Sequence, residues 1–144
     1  MAPPPFRRSP SLLAVDELLR SLEIYITMTP LTWNKCDGTN WCSFERVNLS
    51  HKHFTGMAGV YVIWYGGQTP KTVRLGQGNI ADRIAAHRQD QQITKYSTHG
   101  LYVAWAKVPA AQHGGIEAYL ADQLSPLVGD RFPDVTRIPV NLPW

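Results

Sequence analysis

Tyr61, Arg83, His87 and Glu117 are the side chains of this sequence best suited to chemistry. Tyrosine can donate or accept a proton, arginine can pair with a phosphate, histidine exchanges a proton near neutrality, and glutamate can ligate a divalent cation. Hydrolysis of a phosphodiester asks for these roles: an oriented water, charge stabilisation around the phosphoryl group, and help for the leaving oxygen. Each residue also has an ordinary reading. Tyr61 is a packed strand tyrosine in that view, Arg83 and His87 are solvated helix residues, and Glu117 is a favourable charge near a helix start. Lys71, Arg74, Arg88 and Lys95 join Arg83 in a basic surface around the same region. Cys36, Cys42, His51 and His53 have the atoms of a zinc site but not its spacing, so free thiols and loop histidines are expected there.

The elements that must position these residues follow from pattern. Gly59 to Tyr65 is dense in β-branched and aromatic residues and predicts a strand. Thr72 to Leu75 predicts a second strand, antiparallel to the first across a Gly66-Gly67 turn. Gly76-Gln77-Gly78-Asn79 is expected to break that strand and open a helix, where glycine permits close backbone approach. It lacks the third glycine of a dinucleotide fingerprint and the Gly-Lys-Ser/Thr ending of a P-loop. Ile80 and Ile84 give the helix its apolar face, and Arg83 and His87, four apart, project together. Leu101 to Val108 predicts a third strand, and a helix from about Gly115 to Ser125 carries Glu117. The order β-β-α-β-α defines an α+β fold with a three-stranded, mainly antiparallel sheet flanked by helices.

The chain has 144 residues, 44% of them hydrophobic and 17% charged, which suits one core and excludes wholesale disorder. Residues 1–10 read as a proline-rich flexible leader. Residues 11–55 read as a helix over Leu12 to Leu22, a short strand over Ile24 to Thr29, and an aromatic-rich extension packed on the core. Residues 56–144 read as the functional domain, with an extended C-terminal tail. A net charge of +3 is compatible with a phosphate-bearing partner without demanding one. The start lacks the apolar run of a signal peptide, no segment is apolar enough to span a membrane, and the cysteines are few. A cytoplasmic location without membrane association is therefore expected.

Gly59-Val60-Tyr61, Arg74-Leu75-Gly76, Arg83 with His87, and Ile116-Glu117 together resemble the GIY-YIG nuclease family, over about residues 56–128. The resemblance implies that Tyr61 orients or helps deprotonate the attacking water and that Arg83 holds the scissile phosphate. It also implies that Glu117 binds Mg²⁺ or Mn²⁺ and that His87 assists proton movement. At Arg74 the sequence departs from the family pattern, whose second signature segment begins with tyrosine. Arginine stays protonated and cannot act as a neutral phenol, so Arg74 is read as a contact to DNA or phosphate. Lys71, Gly76 and Arg88 are assigned to substrate binding with it. The family's late asparagine has no counterpart after Pro126, and Asn141 in the tail is assigned as a similar polar group.

The expected function is metal-dependent endonuclease action on DNA, single-stranded or duplex, one strand at a time and with low sequence specificity. RNA is not excluded by the phosphate chemistry, and a monomer or weak homodimer is expected. A catalytically weak nucleic-acid-binding module is the first alternative. A protein-interaction domain using the aromatics from Trp33 to Phe54 is the second.

Overall fold

The structure is a computed structural model that describes residues 14–20, 28–129 and 131–144. The expected leader, the start and end of the first helix, and all but the last two residues of the strand expected over Ile24 to Thr29 lie outside the described residues. Residues 14–20 form a helix, α1, on which Val15, Leu18 and Leu19 are exposed. The remaining elements are β1 (Cys42–Ser43), β2 (Ala58–Tyr65), β3 (Lys71–Asn79), α2 (Ile80–His87), α3 (Gln91–Thr94), β4 (Leu101–Lys107) and α4 (His113–Leu124). Asn79 caps α2 by accepting a hydrogen bond from the Asp82 amide at 3.0 Å, and Asp90 caps α3 through the Gln92 amide at 2.9 Å.

The fold is α+β, with one antiparallel sheet in the order β1-β4-β2-β3. Among the described residues it has four strands where three were expected. The added strand, β1, pairs Cys42 with Val103 and Ser43 with Tyr102. Two residues are too few to show any periodicity, so only the pairing with β4 reveals them. β3 also runs further than expected, because it stays paired with β2 as far as Asn79 opposite Ala58. The glycines lie within the strand and do not end it.

Cys36 and Cys42 form a disulfide, which corrects the expectation of free thiols. The Asp37 carboxylate accepts from the Thr39 and Asn40 amides at 3.3 and 3.0 Å, closing a turn that returns the chain to Cys42. Disulfides are uncommon in reducing compartments, so the cysteines no longer support a cytoplasmic location. Among the described residues, no helix is long and apolar enough to cross a membrane.

Both sheet faces are covered. Tyr61, Ile63, Val73, Val103 and Trp105 face Ile80 and Ile84 of α2, Ile93 of α3, and Phe44 and Phe54 of the extension. Val60, Val62, Trp64, Leu75 and Ala104 face Ile116 and Leu120 of α4, with Val140 of the tail. Leu31, Trp33 and Trp41 pack on that second face. The extension's aromatics therefore turn toward this chain's own core.

Candidate active site

Tyr61 lies at the centre of β2 with its side chain fully buried. Its register partner on β3 is Gly76, and residues directly opposite share a sheet face. The Tyr61 ring lies across Gly76, where a Cβ would fall within 2.8 Å of the ring carbon bearing the hydroxyl. Glycine is therefore required at position 76 by the tyrosine, a close approach of side chain to backbone. Past this glycine the phenol oxygen reaches Nε2 of His87 on α2 at 2.6 Å.

His87 is buried, and burial together with Arg74 and Arg83 pushes its pKa down to about 4. The imidazole is neutral at pH 7, so Nε2 can accept the Tyr61 proton when Nδ1 carries the ring hydrogen. Burial raises the Tyr61 phenol above its ordinary value, while Arg83, beside the oxygen, and then Arg74 pull the other way. Arg83 stands one turn before His87 on α2, exposed where His87 is buried. Its stem passes over Gly78, whose φ of +123° suits glycine.

Glu117 approaches from the opposite face. It sits in the first half of α4, and one carboxylate oxygen accepts from the Gln77 side-chain amide at 2.5 Å. Gln77 follows Gly76, and consecutive strand residues point to opposite faces. Tyr61 and Glu117 are thus separated by the thickness of β3, and β3 is the sheet's edge. Burial raises the Glu117 pKa, opposed by Gln77, then Arg74, Arg83 and His113. The same two guanidinium groups act on Tyr61, His87 and Glu117. That convergence defines the site.

Arg74 faces Ile63 across the β2–β3 ladder. Its Nη1 donates to the Val128 carbonyl at a long 3.5 Å, and its guanidinium lies 6.0 Å from the centre of the Phe132 ring. Its buried Nε has no partner among the described residues.

Of the other sequence-assigned substrate residues, Asn141 and Arg88 bond to this chain's own backbone, and Lys71 stands apart from the Tyr61–His87 pair. Asn141 accepts from the Leu31 amide at 2.6 Å and donates to the Leu31 carbonyl at 3.0 Å, while its own carbonyl accepts from the Trp33 indole at 2.9 Å. Its side chain ties the tail to the Leu31 backbone beside the Thr29–Val140 bridge. Arg88 donates to the Phe44 and Val47 carbonyls at 2.9 and 2.7 Å, so two of its nitrogens hold the extension in place. Lys71 is exposed opposite Tyr65, at the far end of β3 from the glycines. Gln77 was overlooked, because only α4 packing over β3 gives it a partner.

Among the described residues, no three of His, Cys, Asp and Glu group as metal ligands. Glu117 offers a single hard carboxylate with its second oxygen not taken by Gln77. One carboxylate suits Mg²⁺ or Mn²⁺, since Mg²⁺ keeps several waters and takes further ligands from a substrate phosphate. No family model, curated protein or solved structure matches the chain.

Proposed function

We propose that this protein is a divalent-metal-dependent endonuclease that hydrolyses DNA phosphodiester bonds one strand at a time. The observation that carries the reading is the buried Tyr61–His87 hydrogen bond beside Arg83 and Arg74, with Glu117 across the edge strand. The phenol passes its proton to the neutral imidazole as its oxygen takes one from the attacking water. Arg83 and Arg74 hold the charge that gathers on the phosphoryl oxygens. Glu117 would hold the hydrated Mg²⁺ or Mn²⁺, which when bound neutralises charge on the phosphate and the departing oxygen. With one such site per chain, the product is a nick or a cut single strand. The similarity of the Gly59, Arg74, Arg83 and Glu117 segments to the GIY-YIG pattern points the same way.

A catalytically weak nucleic-acid-binding module is the second reading. Arg74 favours it, since a fixed cation stands where the pattern has a phenol. Labelled single-stranded DNA, duplex DNA and RNA, each incubated with Mg²⁺ or Mn²⁺ at one salt concentration, separate the two. Metal-dependent cleavage with a DNA preference is expected. A stable shift without products selects the binding module, equal cleavage after chelation sinks the metal requirement, and exclusive RNA cleavage sinks the substrate.

A further inference from the structure

A cleft of about 560 Å³ leads away from the Tyr61–His87 pair, lined by His87, Arg74, Lys95 and the segment Leu127 to Gly129. Beyond Lys95 the surface becomes aromatic. The Lys95 ammonium lies 5.3 Å from the centre of the Tyr96 ring. Tyr96 stacks on Tyr65 at 6.1 Å and 21°, and Tyr65 stacks on His99 at 4.4 Å and 18°. Lys71 stands opposite Tyr65 in the β2–β3 register, so the two share a face. Lys71, Lys95 and His99 are exposed, and Tyr65 and Tyr96 are half-buried.

We propose that this cleft and ring cluster form a track for single-stranded DNA, with phosphates along Arg74, Lys95 and Lys71 and bases on His99, Tyr65 and Tyr96. The inference rests on the nuclease reading and names its substrate. Cations interleaved with stacking rings are what a single strand requires, because every base offers a π-face once it is unpaired. In a duplex the bases are stacked inside the helix and out of reach of these rings. Tyr61 and Tyr65 lie on one face of β2, four residues and about 13 Å apart, so the rings serve nucleotides a short way along the strand from the cut. The carboxylate in the cleft, Asp90, is engaged in capping α3.

Fluorescence anisotropy in the presence of a chelator measures binding apart from cleavage. The probes are a labelled oligothymidylate of about a dozen nucleotides, an abasic strand of the same length, and a duplex of the same length. Wild-type protein should bind the thymidylate strand at least about 10-fold more tightly than either other probe. His99→Ala should weaken the thymidylate strand by about 5-fold or more and leave the abasic strand unchanged. Lys95→Ala should weaken both strands and lower the slope of log affinity against log salt by about 0.7. Equal binding of thymidylate and abasic strands, or a His99→Ala variant that binds like wild type, would overturn the track. Cleavage is then read separately with Mg²⁺. Base-dependent binding without cleavage removes the nuclease reading and keeps the track. Cleavage without base-dependent binding does the reverse.

Discussion

The Tyr61 hydroxyl and His87 Nε2 are 2.6 Å apart inside the protein, joining the centre of β2 to the last residue of α2. A buried hydrogen bond of this kind satisfies two polar groups that would each cost about 1–3 kcal/mol if left alone. It is reachable because residue 76 has no side chain.

The His87 pKa gives a pH signature. Its value of about 4 lies below the ordinary 6.5, so the unfolded chain binds the proton more readily than the folded one. This contribution to stability is fully present above pH 6.5 and is lost as pH falls to about 4. The upper bound is about 3 kcal/mol, reduced by whatever water reaches the site. Glu117, raised by burial, contributes with the opposite sign. Comparing denaturation of wild type with His87→Gln between these pH values isolates the histidine. Parallel curves for the two proteins would refute the depressed pKa.

Gly76→Ala should destabilise the protein by about 1–3 kcal/mol, since the new methyl would clash with the hydroxyl end of the Tyr61 ring. The damage should be relieved in a Tyr61→Leu background, giving a non-additive double-mutant cycle. Additive losses in urea melts would mean that the strand itself, and not the ring, demands glycine.

Glu117→Gln keeps the shape and removes the charge. A folded protein that still binds DNA is expected, with cleavage severely reduced and not fully rescued by excess metal. Its melting temperature should match or exceed that of wild type, because a buried carboxylate no longer needs to ionise. Full activity with unchanged metal affinity would leave Glu117 only its hydrogen bond to Gln77.

Arg74→Ala should weaken DNA binding and lower its salt dependence by about 0.7 in the log–log slope for a single strand. Arg74→Tyr tests the departure from the family pattern more sharply. Faster cleavage in a folded Arg74→Tyr protein would mean that arginine limits turnover, whereas slower cleavage would assign the cation a part in holding phosphate.

Asn141→Ala removes two hydrogen bonds to the Leu31 backbone. A stability loss of about 1–3 kcal/mol is expected, with the cleavage rate of the folded fraction unchanged. A selective loss of cleavage at unchanged stability would return Asn141 to the site.

Local pattern was enough to place β2, β4, α2 and α4, because β-branched runs and helical apolar spacing are properties of neighbouring residues. The four-residue interval between Arg83 and His87 likewise put both on one side of α2 without any tertiary knowledge. What tertiary structure decided are contacts between residues far apart in the chain. Pairing with β4 made a strand of Cys42–Ser43, and the turn at Asp37 brought Cys36 onto Cys42. Glu117 met Gln77 because α4 crosses β3, while Asn141 met the backbone of Leu31 because the tail returns beside residues 29–33. Gly76 shows both levels at once. Its presence suggested a turn by local rule, yet the sheet kept it extended, because β2 supplied its hydrogen bonds and Tyr61 needed the space.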